Sequence, residues 1–300
     1  MVRVLLTGAT GSIGGEILKN LLAHGHQVTS IVRDQSKAEA LAALGEGSSY
    51  ALLSITAETV GRIAELAKEH DVFIHNAIQF GEEGVAIEFS LSRAIIAVGR
   101  ELEAAGRSFQ YVYTSGCLVL GPTTELVDES YQGTPIPMVA WRVELDSEIV
   151  AASSNLFVTT VVRPVWVYAS SHVDLWGTLA KKNGKVQYLA GADGGYVSLI
   201  HLEDLANLYR LTVEHRKSGY FHGTDSNPVT LRQMIDKVKE VTGVTEEETF
   251  DEAFSQIPNL GMFPIAQTVS QKVKTSRAEE LGWEVKYPNW LEAPHNFSIN

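Results

Sequence analysis

The sequence predicts an α/β protein with a doubly wound parallel sheet and a small C-terminal lobe. Three observations carry this prediction. An apolar strand at the N-terminus runs into a glycine-rich turn and then into a helix. Short apolar strands then alternate with helical patterns up to about residue 165, which is typical of a parallel sheet covered by helices on both faces. From about residue 166 this rhythm changes, which indicates a second, smaller unit.

The glycine turn joins the predicted strand 1–7 to the helical pattern EILKNLLAHG. Glycine has no Cβ, so the backbone can bend sharply and approach a ligand closely, and the following helix N-terminus attracts anions. In this position such a turn is typical of a dinucleotide-binding fold. We expect Gly11→Ala or Gly14→Asp to abolish cofactor binding while the chain still folds. The expected pyrophosphate-binding residues are Gly8, Thr10, Gly11, Ser12, Ile13 and Gly14.

The residue at the end of the second predicted strand is expected to determine whether the chain binds NAD or NADP. Arg33 follows the glycine turn by about 20 residues, where an acidic residue would bind the 2′-hydroxyl of NAD and an arginine accommodates the 2′-phosphate of NADP. Lys37 lies one turn further along. A shift of one residue would place Asp34 there and favour NAD. We choose Arg33 and therefore expect NADP(H).

The remaining elements follow from apolar periodicity and turn residues. The predicted strands are 27–32, 50–53, 71–76, 109–113, 157–162, 185–189 and 220–223, and the predicted helices are 38–45, 60–70, 86–105, 138–152, 173–183 and 230–241. Thr230 is expected to cap the last of these helices. His75 ends a buried strand and is expected to be a hydrogen-bonded structural histidine.

Composition excludes several classes of function. The net charge of −12 argues against a nucleic-acid partner, because phosphates would be repelled. No apolar run approaches the roughly 20 residues that span a bilayer, and the N-terminus does not resemble a signal peptide. The single cysteine, Cys117, suits a reducing compartment, and the nine histidines do not cluster at metal-ligand spacing. We therefore expect a cytoplasmic protein that acts on a small-molecule substrate, without a metal site, a nucleic acid or a membrane.

The motif Thr7-Gly8-x-x-Gly11-x-x-Gly14 resembles the TGxxGxxG turn of the extended short-chain dehydrogenase/reductase superfamily. The dipeptide Arg163-Pro164, the segment Tyr196–Ala206 and the closing Gly282-Trp283 also resemble family motifs, so the resemblance covers essentially the whole chain. It implies a Rossmann domain at 1–165, to which 191–224 return, and a substrate-binding lobe formed by 166–190 and 225–300. It also implies further cofactor contacts at Ser54, Ile55, Ala77, Ile78 and Pro164. Many members dimerise through the helices that correspond to 86–105 and 138–152, so a homodimer is one alternative and the oligomeric state stays open.

The family's catalytic tyrosine and lysine, in the pattern Y-x-x-x-K, have no match before Arg163-Pro164. Counting back from Pro164 places Arg142 on the lysine, Asp146 on the glutamate of a K-x-x-x-E pattern and Met138 on the tyrosine. A second register places Glu144 on the lysine, Glu148 on the glutamate and Ala140 on the tyrosine. Neither register supplies a phenol. We prefer Arg142, because it keeps a cation near the nicotinamide ribose; the alternative is a surface pairing with Asp146 or Glu148.

The family's catalytic serine is also displaced. The matching position is Gly116, and Ser115 lies one residue earlier, where it would point to the opposite face of an extended strand. These departures resemble the atypical short-chain dehydrogenases, which keep the cofactor turn and lose the active-site residues. The candidate catalytic residues are Ser115, Arg142, Tyr131, Tyr168 and His201.

The resemblance implies an NADPH-dependent oxidoreductase that reduces a small hydrophobic carbonyl, enone or imine. An imine needs less acid assistance, since an iminium already carries its charge. Two other functions stay open. The pocket could serve a non-redox isomerase, lyase or cyclase reaction, or the chain could sense NADP without turnover, as NmrA-type regulators do.

Overall fold

A computed structural model describes residues 1–79, 81–169, 172–251, 267–295 and 297. The chain forms two compact units: the first comprises 1–115, 138–163 and 206–221, and the second comprises 116–137, 164–205 and 222–300. The predicted boundaries differ from this division at 116–137, 164–165, 191–205 and 222–224, which all lie in the second unit.

The described residues form the following elements, in chain order. The strands are β1 Arg3–Thr7, β2 Gln27–Val32, β3 Ser48–Leu52, β4 Val72–His75, β5 Phe109–Thr114, β6 Phe157–Pro164, β7 Trp166–Tyr168, β8 Lys185–Leu189, β9 Tyr196–Val197, β10 Leu199–His201, β11 Gly219–Gly223, β12 Val229–Thr230 and β13 Glu246–Phe250. The helices are α1 Ser12–Ala23, α2 Gln35–Ala42, α3 Val60–Ala67, α4 Gly81–Ala104, α5 Ala140–Ala151, α6 His172–Asn183, α7 Leu202–His215 and α8 Leu231–Thr242.

Seven strands form a parallel sheet in the order β11-β6-β5-β4-β1-β2-β3. The predicted doubly wound α/β fold is therefore confirmed. In the register of β1, Thr7 pairs with Ile31 of β2 and with His75 of β4. Because the strands are parallel, their carboxyl ends meet at one edge of the sheet, and the functional loops follow that edge.

The two faces of the sheet explain why its central strands are apolar. Leu5 of β1, Phe73 of β4 and Phe109 of β5 are fully buried and pack with side chains from α3, α4 and α5. Strands covered on both faces are expected to be continuous apolar runs rather than alternating ones. No helix in the described part of the chain is long and apolar enough to cross a membrane.

Several predicted elements agree closely with the structure, and others do not. The bounds of β2 and β8 are as predicted, whereas α4 begins five residues earlier than 86, at Gly81. The strand β13, with the sequence EEETF, was not predicted. It pairs in parallel with β8, but only Phe250 is buried, so its apolar signal is too weak to indicate a strand.

The second unit has its own apolar core, in which Trp176 of α6 packs with Ile235 of α8 and Val186 of β8. The helix α8 begins with the predicted threonine cap. The Thr230 hydroxyl accepts a hydrogen bond from the backbone N–H of Gln233, and the Gln233 side chain accepts one from the Thr230 N–H. This reciprocal capping box fixes the start of α8 against the core.

Removing this cap should destabilise the second unit. Thr230→Ala should lower the free energy of unfolding by about 1 kcal/mol, because it leaves backbone N–H donors unsatisfied. Thr230→Ser keeps the hydroxyl and is the matched control, with stability close to wild type. Denaturant unfolding of the three proteins tests this; equal stability of Thr230→Ala and Thr230→Ser would contradict it.

Candidate functional site: the carboxyl edge of the sheet in the first unit

The glycine turn has the backbone geometry that an anion site requires. Gly8 has a φ of +78°, in the left-handed region that favours glycine. The Gly11 N–H donates to the Gly8 carbonyl at 2.9 Å, which closes the turn. Gly11 then starts α1 in an extended conformation, without a side-chain cap among the described residues and without an acidic residue in the first turn of α1. A helix N-terminus of this kind is suited to a phosphate group.

The three glycines of the motif have different roles. A Cβ atom at Gly14 would lie 2.2 Å from the Gly8 carbonyl oxygen, and one at Gly8 would lie 2.4 Å from that of Asn76. Both positions therefore need glycine for packing. At Gly11 the added atom would contact only the Gly8 oxygen, at 3.4 Å, among the described residues. The expectation that Gly14→Asp leaves the fold intact is wrong for this steric reason, and only Gly11 is free of a packing role.

The end of β2 separates the two candidate cofactor-selecting side chains. The Asp34 carboxylate caps α2: its Oδ1 accepts the Lys37 N–H at 2.9 Å and the Ser36 hydroxyl at 2.8 Å, and these hydrogen bonds lower its pKa. Arg33 is exposed, and its guanidinium makes no hydrogen bond or ion pair within the described residues. At this strand end, Asp34 thus uses one oxygen to cap α2, whereas Arg33 has no partner among the described residues.

The ends of β3 and β4 complete this side of the site. Ser54 is exposed after β3, and its backbone oxygen accepts the Thr59 hydroxyl, while Ile55 is half-buried. After β4, Ala77 is half-buried and Ile78 is 42% exposed. The structure places all four predicted contacts at the carboxyl edge.

Thr7 ties the turn to β4. Its hydroxyl oxygen accepts the N–H groups of Asn76 and Ala77 at 3.0 and 3.2 Å, and it lies 2.7 Å from Nδ1 of His75. With both acceptor positions used, the hydroxyl proton points to His75 Nδ1. On the other side of the ring, Nε2 donates to Glu88 at 3.2 Å. His75 therefore has the hydrogen bonds of a structural histidine.

The helix α5 presents Arg142 to the sheet edge. Arg142 is buried, and its Nη1 donates to the Thr114 carbonyl at 3.0 Å and to the Tyr113 hydroxyl at 3.2 Å. The structure records no hydrogen bond from its Nε or Nη2 to any described residue. Glu144 of the alternative register is exposed, as is Met138. The structure thus places Arg142, rather than Glu144, at the end of β5, without a surface pairing to Asp146 or Glu148.

One turn after Arg142, the fully buried Asp146 receives two hydrogen bonds and an ion-pair contact on a single oxygen. Its Oδ2 accepts Nε of Arg163 at 2.9 Å and the Ser115 hydroxyl at 2.9 Å, and it lies 2.8 Å from Nη2 of Arg163. Burial raises the pKa of Asp146, against the opposing effects of Arg163, Ser115 and Arg142. The proton of Ser115 is thus directed to Asp146. Pro164, a predicted cofactor contact, follows Arg163 and ends β6.

The other candidate catalytic residues lie in the second unit. Tyr131 is exposed. Tyr168 is buried, its ring packs edge-on against His201 at a centroid distance of 5.1 Å, and His201 packs on Tyr287 at 3.7 Å. Burial raises the pKa of Tyr168, with a further contribution from Asp225. Burial also raises the pKa of Asp225 to about 8.

The structure thus groups Ser115 with Arg142 in the first unit and Tyr168 with His201 in the second. Sequence reasoning missed Glu88 and Tyr113, which contact this site from α4 and β5. The available signal was a carboxylate on the apolar face of α4, between the buried Ile87 and Leu91. No group of three or more His, Cys, Asp or Glu residues in the described ranges could hold a metal ion.

The fold and this edge define a nucleotide-binding protein of the Rossmann type. A family model described as NAD(P)H-binding matches residues 8–186, and the chain belongs to that family. The 3-diazoavenalumate denitrifying reductase of a Streptomyces species is 28% identical over 315 residues, which cover 97% of this chain and 98% of the relative. A ketoreductase of Stigmatella aurantiaca, which acts on 4-hydroxy-2-methyl-3-oxo-4-farnesyl-3,4-dihydroquinoline-1-oxide, is 26% identical over 259 residues, or 82% of this chain and 75% of the relative.

Solved structures agree on the fold. UDP-glucose 4-epimerase of Thermus thermophilus in complex with NAD superposes with a TM-score of 0.73 at 17% identity, over 95% of this chain and 94% of that chain. UDP-glucose 4-epimerase of Thermotoga maritima with UDP-glucose gives a TM-score of 0.72 at 19% identity, with the same coverage. The predicted architecture of the extended short-chain dehydrogenase/reductase type is confirmed.

The steric difference between the glycines gives a direct test of the cofactor turn. Gly11→Ala should fold with wild-type stability and lose at least tenfold in NAD(P)H affinity, because its methyl group occupies the space nearest the helix N-terminus. Gly14→Ala, its comparison variant, should lower stability because its Cβ overlaps the Gly8 carbonyl. Thermal unfolding and calorimetric titration measure both effects. Wild-type cofactor affinity in Gly11→Ala would contradict the assignment of the turn.

Proposed function

We propose that the protein is an NADPH-dependent oxidoreductase that reduces a small hydrophobic carbonyl, enone or imine. Membership of the NAD(P)H-binding family supports the cofactor class. Relatives named as a denitrifying reductase, a ketoreductase and a sterol dehydrogenase support redox chemistry. The single observation that carries the choice of NADPH is the guanidinium of Arg33, which has no partner among the described residues, beside an Asp34 that caps α2.

The residues at the sheet edge fit such a cofactor. The uncapped start of α1 would hold the pyrophosphate, and Arg33 would pair with the 2′-phosphate in the charge-assisted, bidentate manner typical of arginine. Within the described residues, Nε and Nη2 of Arg142 make no hydrogen bond, so they would hold the nicotinamide ribose from the end of β5. When bound, NADPH supplies a hydride to an electrophilic carbon of the substrate.

The described side chains of the first unit offer positioning and charge but little acid. Arg142 cannot release a proton, because a guanidinium stays protonated in proteins. The Ser115 proton is directed to Asp146 at 2.9 Å. We therefore favour a substrate whose electrophilic group is already activated, such as an iminium or a conjugated enone. Water would supply any further proton.

Arg33 should set the preference for NADPH over NADH. A charge-assisted pair contributes about 1.5–3 kcal/mol, so Arg33→Ala should lose roughly ten- to a hundredfold of this preference. Arg62→Ala is the matched control, because Arg62 is an exposed arginine of α3 and should leave the preference unchanged. The measurement is calorimetric titration of each protein with both cofactors. Equal or tighter NADH binding by wild type would move the selecting role to Asp34.

Arg142 should connect cofactor binding to turnover. Arg142→Ala should weaken NADPH binding about tenfold and slow hydride transfer by a larger factor, because the ribose loses its cation and the ring its orientation. Oxidation of NADPH against a panel of carbonyls, enones and imines measures turnover. Exposed Glu144→Ala is the control and should match wild type. Unchanged affinity in Arg142→Ala would contradict its role.

The same panel separates the other two functions. Activity of the wild type without any nicotinamide cofactor would contradict the redox proposal and indicate isomerase, lyase or cyclase chemistry. Tight NADPH binding without oxidation by any member of the panel would instead indicate a redox sensor.

A further inference from the structure

Buried ionisable side chains gather beneath the proposed cofactor site, all within the first unit. Each has less than a tenth of its surface exposed, which is unusual for charged groups and requires that each be paired. They belong to β4, α4, β5, α5 and β6. The cluster consists of His75, Glu88, Tyr113, Arg142, Asp146 and Arg163.

Glu88 is the centre of one half of this cluster. Its Oε1 accepts Nε2 of His75 at 3.2 Å, and its Oε2 accepts the Tyr113 hydroxyl at 3.0 Å. Burial alone would raise the pKa of Glu88, but His75, Arg142 and Tyr113 outweigh it and hold that pKa below its ordinary value. Glu88 is therefore a carboxylate, and it carries its charge inside the protein.

Tyr113 connects this carboxylate to Arg142. Its hydroxyl donates to Glu88, and the same oxygen accepts Nη1 of Arg142 at 3.2 Å. Burial raises the pKa of Tyr113 well above its ordinary value, so the hydroxyl keeps its proton. The other arginine, Arg163, has its own carboxylate in Asp146 at 2.8 Å. Glu88 is thus the counter-charge of Arg142, one hydroxyl away.

We propose that Glu88 is a positioning and charge-balancing residue, which cancels the charge of Arg142 so that oxidised and reduced cofactor bind with similar affinity. This inference rests on the proposed function, which places Arg142 at the nicotinamide ribose. The nicotinamide ring is positively charged in NADP⁺ and neutral in NADPH. An unbalanced cation beside it would repel only the oxidised form. In a low-dielectric site this repulsion is poorly screened.

The charge of Glu88 should therefore appear in the ratio of two dissociation constants. Glu88→Gln removes the charge and should raise the ratio of the NADP⁺ to the NADPH dissociation constant by roughly five- to twentyfold, for unit charges about 10 Å apart at an effective dielectric of about 20. Arg142→Gln leaves Glu88 unbalanced and should lower the same ratio below wild type. The double variant should return it towards wild type.

Two tyrosine variants separate charge from structure. Tyr113→Phe removes the hydrogen bond to Arg142 but no charge, so it should weaken NADP⁺ and NADPH alike and leave the ratio unchanged. Tyr111→Phe is the matched control, because Tyr111 lies on β5 like Tyr113. This variant removes a buried hydrogen bond to Ser92, at 2.9 Å, and should affect neither dissociation constant. A merely structural role for Glu88 would likewise weaken both forms equally.

Titration of the wild type with NADPH comes first and distinguishes the two claims. Absence of binding would contradict the proposed function itself. Binding with the same ratio in wild type, Glu88→Gln and Arg142→Gln would overturn the role of Glu88 alone. If Glu88→Gln does not fold, the opposite shift expected of Arg142→Gln decides the matter, and an unchanged ratio in that variant overturns the inference.

Discussion

The hydroxyl of Thr7 joins the two halves of the site. It lies at the end of β1, one residue before the turn, and accepts both N–H groups that follow β4 while it donates to His75. Gly8 passes so close to the Asn76 carbonyl that a Cβ would overlap it. The hydrogen bonds of Thr7 fix the backbone that would face the pyrophosphate to the end of β4. The buried network begins there, at His75. The glycine turn, His75, Glu88, Tyr113 and Arg142 therefore form one connected, hydrogen-bonded chain.

If Arg142 occupies the lysine position of the family, as the preferred register has it, the change has a structural consequence. A lysine ammonium is a compact charge on a flexible stem, whereas a guanidinium has donors in a fixed plane. Nη1 of that plane donates to Thr114 and Tyr113 here, and Nε and Nη2 make no hydrogen bond to any described residue. Under the proposed function these two donors would hold the ribose. Met138, which the preferred register places on the family's tyrosine, is exposed.

The sequence indicated the features that depend on local chemistry. The glycine turn, the strands β2 and β8 and the cap at Thr230 follow from backbone conformation and apolar periodicity, which neighbouring residues determine. The choice between Arg33 and Asp34 could not be made from spacing, because it depends on which side chain caps α2.

Glu88 was missed for a related reason. Its partners His75 and Tyr113 lie on the strands β4 and β5, outside its own helix. Only the three-dimensional arrangement shows that this carboxylate, on an apolar helix face, lies close enough to balance the charge of Arg142. The strand β13 was not predicted, because its sequence is polar and the strand forms by pairing with β8.

The most direct test of the central claim is an experimental structure of the protein crystallised with NADPH. The account predicts the pyrophosphate against the backbone at the start of α1, the 2′-phosphate within hydrogen-bond distance of Arg33, and the nicotinamide ribose within hydrogen-bond distance of Arg142. A cofactor bound with its 2′-phosphate away from Arg33 and its ribose out of reach of Arg142 would contradict the account.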